Sequence, residues 1–132
     1  MRKALFIILI IMSSCIKVKK HDLSFLLTNN SSKYWDIVYR SNFYDQSKSI
    51  VFPRYCYCFD KDGKWTFYTY KKGIRQYYDS GDIVIPEKWT LIADSFIILG
   101  FKKYRIKTLT SDTLIYTCGK ADSTVLTRSK VE

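Results

Sequence analysis

The chain has 132 residues, which is room for a single domain. At 47% hydrophobic and 26% charged it is composed like a globular protein, and five glycines with two prolines exclude a collagen-like or low-complexity chain. Eleven Tyr, eight Phe and three Trp favour strands, where flat rings pack on a pleated surface, and the net charge of +10 suits acidic surfaces without selecting one of them.

Met1-Arg2-Lys3 precedes an apolar run, Ala4 to Met12, that ends in Ser13-Ser14-Cys15. A membrane-spanning helix needs about 20 apolar residues, whereas a run this short suits the core of a secretory signal. Met12-Ser13-Ser14-Cys15 resembles the lipobox of bacterial lipoproteins: an apolar residue, two small residues and the cysteine to be lipidated. The resemblance implies that residues 1–14 are a signal peptide and that Cys15 becomes the lipid-bearing first residue. Arg2 and Lys3 leave with the signal, so the net charge falls to about +8. Residues 15–21 then form the lipidated cysteine and a basic tether, where Lys17, Lys19 and Lys20 would each gain about 1 kcal/mol near anionic headgroups. The expected location is the cell membrane or outer membrane, with the domain facing the periplasm or the cell surface. Lysines in place of acidic residues after the cysteine favour the periplasmic side.

The domain is expected over residues 22–132. Asp22 to Leu27 reads as one or two helical turns with Leu23, Leu26 and Leu27 on one face, and Asn29-Asn30-Ser31-Ser32 as a turn. From there the period is two. Tyr34 to Arg40 alternates, with Trp35, Ile37 and Tyr39 on one side. Asn42 to Ser49 reads as a polar loop. Ile50 to Phe52 and Arg54 to Phe59 form a strand region interrupted at Pro53, which cannot donate to a ladder. Asp60-Lys61-Asp62-Gly63 predicts a hairpin into Lys64 to Tyr70, and Lys71-Lys72-Gly73 a second turn into Ile74 to Tyr78. Asp79 to Asp82 turns again, followed by Ile83 to Ile85, Trp89 to Ala93 and Phe96 to Leu99. Tyr104 to Lys107, Thr113 to Cys118 and Val125 to Arg128 complete about eight to ten short strands. That spacing predicts an all-β sandwich or barrel, not a parallel sheet with crossover helices.

Trp35-Asp36-Ile37, the Phe59…Asp62-Gly63-Lys64 hairpin, Trp89-Thr90-Leu91, Asp94 to Ile98, Tyr104-Arg105-Ile106 and Leu109 to Leu114 stand in an order that resembles the small lipocalin-like lipoproteins common in Bacteroidetes. The resemblance spans roughly residues 23 to 118 and rests on structural motifs. It implies a small closed or nearly closed antiparallel barrel of about eight strands, monomeric. Its core or ligand-facing residues would be Trp35, Ile37, Trp65, Phe67, Trp89, Leu91, Phe96, Tyr104 and Ile106. Such barrels are filled by side chains or hold one small ligand. The large inward rings predict a filled interior between Trp35, Trp89, Phe96 and Ile106.

Catalysis is not expected. His21, the single histidine, lies in the tether, and a triad needs a base fixed beside its nucleophile. Asp60 and Asp62, like Asp79 and Asp82, read as turn formers. No cofactor and no metal site is expected. Cys56 and Cys58 face one side of a strand, and an exported compartment permits a disulfide from Cys118 to one or the other. The remaining thiol reads as a small buried apolar residue. Tyr55, Tyr57, Trp65, Tyr68 and Tyr70, interleaved with Lys64, Lys71, Lys72 and Arg75 and followed by Tyr77-Tyr78, form a candidate face for a glycan or a protein. Nucleic acid is disfavoured by export. The expected function is a membrane-anchored, non-catalytic binding domain whose ligand would be a small apolar molecule in the barrel, or a protein or glycan on the tyrosine-rich face. The alternative is a structural or assembly lipoprotein with a filled barrel that contacts an envelope protein or glycan through its tyrosine-rich face.

Overall fold

A computed structural model describes residues 23–41, 49–50, 55–78, 87–120 and 122–131. The expected signal, Cys15, the tether, Pro53, the turn at Asp79 to Asp82 and the strand at Ile83 to Ile85 lie outside the described residues.

The elements follow in chain order as α1 (Leu23–Thr28), β1 (Ser32–Ser41), β2 (Ser49–Ile50), β3 (Tyr55–Asp60), β4 (Lys64–Lys71), β5 (Ile74–Tyr77), β6 (Glu87–Ile92), β7 (Phe96–Leu99), β8 (Lys102–Leu109), β9 (Thr113–Thr117) and β10 (Ser123–Arg128). Eight strands run β1-β3-β4-β6-β7-β8-β9-β10, each antiparallel to the next, and β10 pairs back onto β1. The sheet is thus a closed barrel, which leaves no free edge around the ring. β4 is shared. Lys64 and Trp65 pair with β6, while Tyr68 to Lys71 pair with β5, so β5 is an extra strand beside the barrel.

The turns follow from residue chemistry. Lys72 (φ 51°) and Gly73 (φ 77°) join β4 to β5 as a two-residue hairpin in which both central residues are left-handed, the geometry that matches strand twist. At the β3–β4 turn the Asp60 carboxylate accepts the Asp62 N–H at 2.7 Å, and Gly63 takes φ 84°. α1 ends where Asn29 (φ 52°) and Asn30 (φ 62°) turn left-handed, a conformation asparagine tolerates.

Inward residues alternate as the sequence predicts except in β1, where a register shift after Ile37 turns Tyr39 to the side opposite Trp35 and Ile37. Trp35 and Ile37, Tyr57 and Phe59, Trp89, Ile97 and Leu99, Leu114 and Tyr116, and Leu126 are buried, with Trp65, Phe67, Leu91, Tyr104 and Ile106 packed against them. Each fully buried side chain of this size contributes roughly 1.5–3 kcal/mol. α1 stoppers one end of the barrel, where it touches β1, β3 and β8. Leu27 is fully buried there, and its carbonyl accepts the Trp35 Nε1–H at 3.0 Å. Trp89 ties the same end, donating Nε1–H to the Asp60 carbonyl at 3.0 Å.

Phe96 corrects an expectation. It is paired with Arg105 on the outer face, where the Lys103 ammonium lies 4.2 Å from its ring centre, and Ile97 and Leu99 take the inward positions. Phe96-Ile97-Ile98-Leu99 is apolar at every position, so its alternation carries no phase.

Candidate functional site

The inner surface away from α1 carries the polar groups. β1 has an irregularity between Ile37 and Tyr39: Ile37 stands opposite Leu126, Tyr39 opposite Val125 and Arg40 opposite Thr124. The extra residue shifts the alternation, as a bulge does. Arg40 therefore takes a register position on the same side as buried Thr124, at the end of β1 where it is exposed, and its charge acts on Tyr57, Tyr104 and Tyr116. Without the irregularity it would have pointed outward.

Those three tyrosines meet inside the wall. The rings of Tyr104 and Tyr116 are 4.8 Å apart, and Tyr57 and Tyr116 act electrostatically on each other's hydroxyls. Burial pushes all three hydroxyls up from their ordinary value, against the opposing pull of Arg40. Each keeps its O–H at neutral pH. Trp65 stands edge-on to Tyr57 at 5.2 Å, and Phe67 stacks on Tyr55 at 5.3 Å. The indole N–H groups of Trp35 and Trp89 are satisfied by carbonyls, but buried Trp65 Nε1 has no partner among the described residues.

The tyrosine-rich face divides between two sides. Tyr55, Tyr57, Trp65 and Phe67 belong to the inner packing. Tyr68 and Tyr70 lie outside, over Cys56 and Cys58, which face outward from β3 and are nonetheless buried. The roof over the thiols is polar and tied down. Tyr70 donates to the Asp36 carboxylate at 2.5 Å and shares a hydrogen bond with Ser129 at 2.9 Å. Arg75 covers Tyr34 with its guanidinium, donates to Ser129 at 3.3 Å and bonds the Val131 carbonyl. Burial raises the Cys56 thiol and pushes Cys58 up to about 11, so neither is a ready nucleophile. Cys56, Cys58 and Cys118 are free thiols; Cys118 follows β9, three neighbours round the barrel from β3, and no disulfide joins it to either.

A concavity of about 240 Å³ lies outside the barrel, where α1, β1 and the last residues meet around Phe25, Lys33, Tyr34 and Arg128. It is smaller than the roughly 300–1,000 Å³ of small-molecule pockets. The Lys33 ammonium is engaged there, donating to the Leu26 carbonyl at 2.9 Å and to that of Ser111, and it lies 4.4 Å from the Trp35 ring centre.

Of the residues singled out in the sequence, Trp35, Ile37, Trp65, Phe67, Trp89, Leu91, Tyr104 and Ile106 come together inside, and Phe96 does not. Sequence reasoning missed Arg40, Thr124 and Tyr116. Tyr116 was visible in the alternation of Leu114 and Tyr116, whereas Arg40 depends on a bulge that leaves no signature. Among the described residues no group of three or more His, Cys, Asp and Glu side chains could hold a metal ion, and no helix is long and apolar enough to cross a membrane. Comparison with protein-family models, curated proteins and solved structures finds no match to the chain.

Proposed function

We propose that this chain is an exported lipoprotein, held to a membrane by lipid on Cys15, whose barrel binds a small ligand without catalysing its turnover. One observation carries the binding role: the two ends of the barrel interior are finished differently. Toward α1 the space is taken by Leu27, Trp35 and Phe59, all fully buried. Away from α1 the inner side carries three tyrosine hydroxyls, with the exposed Arg40 beyond them at the end of β1. A core built only for stability satisfies such groups or replaces them with apolar ones. The lipobox-like Met12-Ser13-Ser14-Cys15 supports the anchor.

The alternative is a structural or assembly lipoprotein with a filled barrel. The ring packing around Trp35, Phe59 and Trp89 favours it. Against it, the outward tyrosines that would form its contact face are engaged by Asp36, Arg75 and Ser129.

Cell fractionation and native mass spectrometry test the proposal together. Wild type stays with membranes after a salt wash and retains a small non-covalent ligand when extracted gently, while Cys15→Ala moves to the soluble fraction. A variant that remains membrane-bound contradicts the anchor, and a wild-type protein that is always ligand-free favours the structural reading.

A further inference from the structure

The two rims of the barrel differ in charge. Neighbouring strands are antiparallel, so successive connections alternate between the two ends. The turns β4–β5, β7–β8 and β9–β10 therefore lie away from α1, where β1 also finishes. Arg40, Lys71, Lys72, Lys102 and Lys120 are exposed at this rim, against Glu87 and Asp122 among the described residues. The end that α1 stoppers is mixed, with Asp60, Asp62, Asp94 and Asp112 beside Lys61, Arg128 and Lys130.

Two apolar side chains stand among the cations of the basic rim. Leu99 pairs with Lys102, so Gly100 and Phe101 are the whole β7–β8 loop. Gly100 takes φ 60°, which suits the first central position of a two-residue hairpin loop. Phe101 is left at the tip, fully exposed. In the β4–β5 hairpin, Ile74 follows Lys71-Lys72-Gly73 and is 64% exposed. Neither side chain belongs to the core cluster.

We infer that this rim docks on an anionic phospholipid surface, with Phe101 and Ile74 entering the headgroup layer and the cations around them meeting lipid phosphates. Each basic residue near such a surface raises affinity about fivefold. An apolar side chain gains only from a surface with a nonaqueous interior. A hydrated polyanion such as an acidic glycan would attract the cations and leave Phe101 and Ile74 in water, whereas a bilayer receives both. The inference rests on the anchor proposed above for the nearest such surface. Cys15 precedes Leu23 by eight residues, a reach of about 26–29 Å when extended, and the eight residues of β4 span about 27 Å. The rim can thus reach the bilayer that holds the lipid.

Fluorescence with a quencher in the lipid tests it. The full chain extracted from bacterial membranes is reconstituted into vesicles with brominated acyl chains, of phosphatidylcholine alone or mixed with phosphatidylglycerol. Phe101→Trp places an indole at the exposed tip, where no packing is lost, and subtracting the wild-type signal removes the three native tryptophans. In the mixed vesicles the added emission should shift to the blue and lose at least half its intensity. In phosphatidylcholine alone it should stay as in water. Lys71→Gln, Lys72→Gln and Lys102→Gln combined should return the mixed-vesicle signal to that state. Phe25→Trp, on the exposed side of α1, should stay unquenched throughout. Water-like emission from Phe101→Trp in the mixed vesicles would overturn the inference, as would equal quenching in the two lipids. Quenching of Phe25→Trp in place of Phe101→Trp would also overturn it, because the α1 end would then face the bilayer. Flotation of wild type with phosphatidylcholine vesicles reports the anchor by itself, so a failed anchor and a failed rim give different results.

Discussion

The guanidinium carbon of Arg75 lies 3.6 Å from the centre of the Tyr34 ring, joining the extra strand β5 to barrel strand β1 across the buried thiols of β3. A cation over a ring is worth about 0.5–1 kcal/mol at a partly exposed site. Arg75 also bonds Ser129 and Val131, so it pins the chain's last described residues to the same place. Arg75→Ala is expected to cost about 1–2 kcal/mol in urea unfolding. It also lifts the roof from Cys56 and Cys58. Maleimide labelling of these two thiols in the folded protein should speed up at least tenfold, with Cys118 labelling unchanged.

The same thiols predict how stability depends on pH. Burial raises the Cys58 thiol from 9.0 to about 11 and the Tyr70 hydroxyl from 10.0 to about 12, with the bond to Asp36 adding to the latter. Both groups hold their protons more tightly when folded. Their contribution is therefore complete below about pH 9 and is lost as pH rises through the folded values. The urea midpoint should be flat from pH 7 to 9 and fall between pH 9 and 12. Cys58→Ala should remove the first part of that fall.

Gly63 offers a backbone test. It takes φ 84° in the β3–β4 turn, yet a Cβ added there would sit 3.6 Å from the Trp89 carbonyl oxygen, an ordinary contact. Gly63→Ala should therefore cost only the conformational penalty, about 1–2 kcal/mol, with the denaturant dependence of unfolding unchanged. A loss beyond about 3 kcal/mol would mean that the turn cannot hold this conformation with a side chain.

Trp35 tests the stopper. The side chain is fully buried, and its Nε1–H holds the Leu27 carbonyl of α1. Trp35→Phe removes that bond and leaves a void, at an expected cost of about 2–4 kcal/mol. Hydrogen exchange should show α1 amides losing protection more than those of β8 or β9. Uniform loss would mean that α1 and the barrel open as one unit.

Much of this fold was legible because its strands face water on one side and a core on the other. Trp35 and Ile37, Tyr104 and Ile106, and Trp89 and Leu91 alternate with polar residues, and each pair lies inside. Asp62-Gly63 and Lys72-Gly73 marked their hairpins through residues that tolerate left-handed backbone. Where all neighbours are apolar, as at Phe96 to Leu99, the phase was invisible. The outer burial of Cys56 and Cys58 was hidden for a different reason. It requires β5 and Ser129, distant in sequence, to fold over β3. Arg40 was missed because one extra residue in β1 reverses its direction, and only the pairing of Arg40 with Thr124 reveals it.

The proposed lipid on Cys15 would decide the setting in which all of this acts, and intact-mass spectrometry of the chain extracted from bacterial membranes tests it most directly. The account predicts a polypeptide beginning at Cys15 whose mass exceeds that of its residues by at least a diacylglyceryl group. A polypeptide with a different first residue, or one with no added acyl mass, would contradict it.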